Sequence, residues 1–125
     1  MISGAEPRAL KSRLLADLEH AMGAGHPLQA SAVAILVGTG TSSLMQQALG
    51  SAPRGAPGSD ERLQRYLRNV VRVLCVAERH FGDLQAALHW YHEDRGPHGK
   101  RPTPQAFVAA GLMEEACRHL LRAPP

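Results

Sequence analysis

The sequence predicts an all-α protein, an irregular bundle of six or seven helices. No segment alternates apolar and polar residues with the period of two that half-buried strands show. Apolar residues instead recur at spacings of three and four along most of the chain. Aromatic residues make up only 4% of the 125 residues, so Leu, Val and Ala must fill the core. We therefore expect a chain that is mostly helical and has no sheet.

The first half of the chain is predicted to contain three helices. Pro7 begins a helix that runs to about Met22 and ends at the glycines that follow it. A short apolar segment, Leu28–Val37, precedes a Gly-Thr-Gly-Thr turn, after which Ser42–Leu49 forms another short helix. The order of helix, glycine-containing turn and helix is that of a helix-turn-helix unit.

Residues 50–58 are composed of Gly, Ser, Ala, Pro and one Arg. This composition predicts a linker, because it buries too little apolar surface to offset the entropy of ordering it. The predicted organisation is an N-terminal helical part, residues 1–49, and a C-terminal part, residues 59–125.

The strongest helical pattern of the chain covers Ser59–His80, with Ser59 expected as the N-cap and Asp60 in the first turn. Gly82 is expected to end this helix. The following helix, Leu84–His92, is capped by Asp83 and carries Trp90 at its edge.

The last third is predicted to be a polar loop, residues 93–102, followed by two short helices. Thr103 supplies a capping hydroxyl before a proline at the first helical position. In the last helix, Leu112–Arg122, we expect Leu112, Leu120 and Leu121 to face the core.

The overall composition excludes several classes of protein. No run of about 18 apolar residues could cross a membrane, and no signal-peptide pattern is visible. A cytoplasmic location is expected, with Cys75 and Cys117 as buried free thiols. The formal charge of +3 is compatible with nucleic acid or with an acidic protein surface and does not decide between them.

The motifs of common enzymes and metal sites are missing from the sequence. His89, His92 and His98 lack a carboxylate or cysteine at a familiar ligand spacing. The turn after Val37 lacks the lysine of a phosphate-binding loop. The acidic pair Glu114-Glu115 is explained by the helix dipole. We therefore expect no metal, no cofactor and no catalysis, which favours a binding protein.

The order of motifs in the second half resembles a known family. The motifs, which follow the helix-turn-helix, are Glu61-Arg62-Leu63, the segment from Ala77 to Asp83, the segment from Ala86 to Trp90, Thr103-Pro104 and Gly111. This order is similar to that of Xre/MbcA/ParS-type antitoxins, which carry an Xre-like helix-turn-helix and a C-terminal toxin-binding domain. The resemblance implies the antitoxin of a type II toxin–antitoxin system, whose C-terminal part neutralises a RES-type toxin that consumes NAD.

The resemblance also implies which residues make contact. Cations of the loop and last helix would bind the toxin; they are Arg95, Lys100, Arg101, Arg118 and Arg122. Operator DNA would be a second partner, bound by polar residues of the recognition helix; they are Ser42, Ser43, Gln46 and Gln47. Assembly with itself or with the toxin is expected.

Two other functions stay open at this point. The chain could be a stand-alone DNA-binding regulator or a helical adaptor subunit. The recognition helix carries no Arg or Lys for phosphate contacts, so a helix-turn-helix used only for packing or dimerisation is an alternative to DNA binding.

Overall fold

The fold was obtained as a computed structural model, which describes residues 7–50 and 57–122. These residues form α-helices and no strand, so the all-α prediction is confirmed. The seven helices are α1 (Pro7–Gly23), α2 (Ala30–Val37), α3 (Thr41–Leu49), α4 (Ser59–Phe81), α5 (Leu84–Glu93), α6 (Pro104–Ala109) and α7 (Met113–Arg122).

Helix α4 is the centre of the bundle, because each of the other six helices packs against it. Leu67, Val70 and Leu74 on α4 are completely covered. Full burial of such a side chain stabilises the folded state by about 1.5–3 kcal/mol. The apolar face of this helix therefore serves as the common core of the molecule.

Local signals in the sequence set two of the helix boundaries as predicted. Gly82 adopts the left-handed conformation at φ 75°, and the Asp83 carboxylate then accepts a hydrogen bond from the backbone N–H of Ala86 at 3.3 Å. Thr103 accepts from the N–H of Ala106 at 3.1 Å, with a proline following at the start of α6. The start of α4 differs, since the prediction of Ser59 as its N-cap is wrong.

Gly58 is the N-cap of α4, and its positive φ of 79° turns the chain into the helix. Ser59 is the first helical residue, and it is buried. Glycine reaches this backbone conformation without steric cost, so both the cap and the helix begin one residue earlier than predicted.

Both predicted parts of the chain contribute to one hydrophobic cluster. Gln64 of α4 adds a polar link, since its amide accepts from the N–H of Leu28 at 2.7 Å and donates to the carbonyl of Leu28 at 2.8 Å. Of the predicted linker, residues 51–56 lie outside the described residues. The division into residues 1–49 and 59–125 therefore stays a prediction.

Three burial predictions for single side chains are wrong. Trp90, expected at an edge, is only 5% exposed, whereas Leu112 and Leu121, expected in the core, are 47% and 77% exposed. Helix α7 directs Ala116 and Leu120 inward instead. Because successive residues of a helix point about 100° apart, Leu121 cannot share the direction of Leu120. In the described part of the chain, no helix is long and apolar enough to cross a membrane.

Candidate protein-binding surface

The loop between α5 and α6 is closed at its base by one aspartate. Asp94 accepts the backbone N–H of Gly96 at 3.2 Å through Oδ1 and the guanidinium of Arg101 at 3.0 Å through Oδ2. The backbone N–H of Arg101 also donates to the carbonyl of Arg95 at 3.0 Å. These bonds join the two ends of the loop, so residues 94–101 form an ordered turn.

Gly96 is the residue that lets this turn close. Its φ is +78°, a conformation that other residues rarely adopt. A Cβ atom at this position would lie 3.0 Å from Cζ of Arg101. A side chain at position 96 would therefore strain the backbone and displace the guanidinium from Asp94.

The loop lies against the last helix. The ring of His119 on α7 stacks on Phe107 of α6, with ring centroids 5.4 Å apart. Burial lowers the pKa of His119, and the charges of Arg101 and Arg122 lower it further, while Glu115 and Asp94 oppose this. Because groups of the loop and of α7 all act on this imidazole, the loop and the last helix lie side by side in one charged surface.

The five cations predicted to bind a toxin differ in exposure and in whether their side chains are already paired. Arg95, Lys100 and Arg122 are exposed, and none of their side chains has a hydrogen bond or ion pair within residues 7–50 and 57–122. Arg118 is exposed and pairs with Glu115 one turn earlier. Arg101 is half-buried and tied to Asp94.

The contact with Asp94 changes the role that we expect for Arg101. Exposed ion pairs such as that of Arg118 contribute little and are easily exchanged. Arg101 has a structural task inside the loop, where it lines a concave face together with Arg95 and Lys100. Arg101 is therefore best described as a positioning residue for its two exposed neighbours.

The residues predicted to contact DNA also separate into two groups. Ser42, Ser43 and Gln46 are exposed on α3. Gln47 is half-buried, and its side-chain oxygen accepts from the hydroxyl of Tyr66 at 2.8 Å and from the amide of Gln105 at 3.4 Å. The side chain of Gln47 therefore makes its hydrogen bonds within the protein.

A polar network behind α3 was not visible in the sequence. Burial raises the pKa of Tyr66 to about 12 and that of Tyr91, which faces Tyr66, well above its usual value. Nearby, Nε2 of His92 lies 2.8 Å from the carbonyl oxygen of Val37, and its Nδ1 lies 2.9 Å from the amide oxygen of Gln105. These contacts connect residues that are far apart in the sequence. Patterns of closely spaced residues cannot indicate such contacts.

Residues able to hold a metal ion do not come together in the part of the chain that the structure describes. No group of three or more His, Cys, Asp or Glu side chains there has a suitable arrangement. Of the three histidines considered from the sequence, His89 and His98 are exposed and His92 belongs to the network behind α3.

No known protein family matches the chain, and neither does any curated protein or solved structure with which it was compared. The geometry of the surface and the order of motifs in the sequence are therefore what indicate the function of the chain.

Proposed function

We propose that this chain is the antitoxin of a bacterial type II toxin–antitoxin system. In this proposal its C-terminal part binds and neutralises a RES-type, NAD-consuming toxin. The observation that carries the proposal is the ordered cationic loop beside the end of α7, where Arg95, Lys100 and Arg122 are exposed without a partner in the described part of the chain.

The charge of the loop suits a partner that presents acidic groups. The phosphate subsite of an enzyme that consumes NAD is itself built from cations and N–H donors, so the loop cations would bind carboxylates on the toxin surface around the entrance to that site. Arginine and lysine form charge-assisted hydrogen bonds that are about twice as strong as neutral ones. A loop that is already closed by Asp94 loses little further entropy on binding. Arg95 and Lys100 are thus presented at low cost.

The test is co-expression with the RES-type toxin that the proposal expects in the neighbouring reading frame. The variants are Arg95→Ala/Lys100→Ala and Arg118→Ala/Arg122→Ala. Each pair should leave the free energy of unfolding within roughly 0.5 kcal/mol, as is usual for surface substitutions. Binding should weaken by about 1–3 kcal/mol per central contact, which calorimetry can measure together with growth rescue.

A matched control is Arg13→Ala, which removes an exposed arginine of α1. It should bind the toxin and rescue growth like the wild type. Arg101→Ala should lower both binding and thermal stability, because it breaks the contact with Asp94. Equal rescue by all of the loop and α7 variants would show that inhibition does not depend on this surface.

A DNA-binding role is supported by one specific observation. Helix α2 ends at Gly38 with φ 77°, and α3 follows with Ser42, Ser43 and Gln46 exposed. The polar side chains on the accessible face of α3 could contact base edges. Binding of the chain's own upstream DNA, measured by fluorescence anisotropy, should fall with salt and with Ser43→Ala/Gln46→Ala. The control is Gln29→Ala, which removes an exposed side chain at the residue before α2.

A further inference from the structure

A row of cations, the arginine stripe, runs along the side of α4 that faces solvent. Its members are Arg62, Arg65, Arg68 and Arg72. At about 100° per helical residue they lie within an arc of about 120°, opposite the fully buried Leu67, Val70 and Leu74. All but Arg68, which is half-buried, are exposed. The four side chains therefore share one accessible face, which extends about 15 Å along the helix.

The charges of the arginine stripe are not neutralised within the described part of the chain. None of its four side chains has an ion pair or hydrogen bond with residues 7–50 or 57–122. Arg79, the next cation on this side of α4, differs because it pairs with Glu19 at 2.9 Å. Glu61 lies one turn before Arg65 in the first turn of α4 and forms no ion pair with it. Unpaired cations at this density favour an anionic partner.

The first two arginines of the stripe also line a cleft between α3, α4 and α6. Asn69 supplies an amide to the cleft, and its other walls include Ala48 of α3 and residues 108–111 at the end of α6. None of its lining residues in the described part of the chain is acidic. Nη2 of Arg62 lies 4.0 Å from the position that a Cβ atom of Gly50 would occupy. The stripe therefore begins where α3 ends.

The neighbours of the stripe indicate the kind of anion that it binds. A protein interface has an apolar centre, and a helix that lies on a membrane carries apolar residues beside its cations. Among the described residues, no exposed large apolar side chain lies between Arg62 and Arg72, and the nearest one on α4 is Val76. Gln46 precedes Gly50 by one helical turn, so the polar face of α3 adjoins the start of the stripe. Duplex nucleic acid, with base edges beside phosphates, needs both types of contact.

We infer that the arginine stripe binds the phosphodiester backbone of duplex DNA. Phosphate oxygens accept charge-assisted and often bidentate hydrogen bonds from arginine. Duplex DNA carries one negative charge per about 1.7 Å of its axis, so a face of about 15 Å can meet several phosphates. The stripe supplies the phosphate contacts that α3 lacks, since α3 contains no Arg or Lys. Binding by the stripe rests on the DNA-binding role proposed for α3 and does not involve the toxin.

The test is the salt dependence of DNA binding by the full chain. Fluorescence anisotropy with a labelled duplex of about 20 base pairs measures the dissociation constant between about 50 and 200 mM KCl. Its logarithm should rise linearly with the logarithm of the salt concentration. Arg65→Gln and Arg72→Gln should each lower the slope by about 1, and the double variant by about 2. The change should be the same for the chain's upstream DNA and for an unrelated duplex, because phosphates carry no sequence information.

Two control variants should keep the wild-type slope. Arg13→Gln removes an exposed arginine of α1, away from the stripe. Arg65→Lys/Arg72→Lys keeps both charges in place. Circular dichroism checks that each variant is folded.

The variant Ser43→Ala/Gln46→Ala separates the stripe from α3. It should keep the slope and bind the upstream duplex less tightly. If it binds that duplex like the wild type while the glutamine variants lower the slope, the role of α3 is wrong and the stripe remains. A slope that the glutamine variants leave unchanged would overturn the inference, as would a lack of DNA binding at the lowest salt concentration. Competition by polyglutamate as strong as that by unlabelled duplex would also overturn it.

Discussion

Helices α3 and α7 are both short, and both pack on α4, yet they present different surfaces. Helix α3 buries Leu44, Ala48 and Leu49, leaves Met45 partly buried, and exposes uncharged polar residues. Helix α7 buries Ala116 and Leu120 but leaves Leu121 in solvent, in the basic last turn.

The difference shows where a protein partner is expected. A helix with no large apolar side chain in solvent gains little from another protein and suits polar contacts. A helix that leaves such a side chain exposed, as α7 leaves Leu121, has apolar surface still to bury, and burial of that surface is favourable. We therefore expect protein contacts on α7, and packing or nucleic-acid contacts on α3.

The largest effect that tests this comparison comes from two adjacent leucines of α7. Leu120→Ala should destabilise the protein by about 2–5 kcal/mol, because Leu120 is fully buried and leaves a cavity. Leu121→Ala should change the free energy of unfolding by less than about 0.5 kcal/mol. Urea denaturation of dilute protein measures both. A similar loss of stability for the two variants would mean that Leu121 is also buried and that α7 leaves no large apolar side chain exposed.

A second effect concerns the tyrosines behind α3, the only two in the chain. Because burial raises the pKa of Tyr66 to about 12, its phenol is neutral in the folded protein at pH 10. Its contribution to stability is complete below pH 10 and is lost as the pH rises towards 12, which amounts to about 2–3 kcal/mol. Absorbance at the phenolate band should therefore appear late, together with unfolding.

Half-ionisation near pH 10 while the circular dichroism is still native would contradict this expectation. In that case the surface of α3 that faces Tyr66 would be open to water, and the contrast with α7 would disappear.

The smallest effect separates two neighbouring glutamines of α3. Gln47→Ala removes the acceptor of the Tyr66 hydroxyl and should cost about 1 kcal/mol. Gln46→Ala removes an exposed side chain and should change stability by less than about 0.5 kcal/mol. Thermal unfolding compares the two. If Gln46→Ala is the more harmful change, the inward role of Gln47 is wrong.

Features decided by a few consecutive residues could be predicted from the sequence. The Gly82-Asp83 boundary and the Thr103 cap depend on backbone conformation and hydrogen bonds within one turn. The helical periodicity of α4 depends on a single segment, and it was sufficient to predict the central helix.

Features decided by distant residues could not be predicted in the same way. Whether Leu120 or Leu121 is buried depends on the direction from which α4 approaches α7, and both are leucines. Gln47 is drawn inward by Tyr66 and Gln105, which are 19 and 58 residues away.

The candidate site shows the same limit. The cations of the loop could be named from the sequence, but the pairing that makes Arg101 a positioning residue could not. The Asp94-x-Gly96 spacing, typical of a turn in which aspartate accepts a nearby backbone N–H, was the available local signal. The contact of Arg101 with Asp94 across the loop depends on how the whole turn closes.

That closure also makes the loop a suitable place to carry foreign sequence. Asp94 and Arg101 fasten its two ends, whereas Pro97 and His98 at the tip are exposed. A short peptide tag or a labelling sequence inserted between these tip residues would leave both fastened ends in place. Long surface loops cost little additional closure entropy, so the molecule should accept such a graft and remain folded.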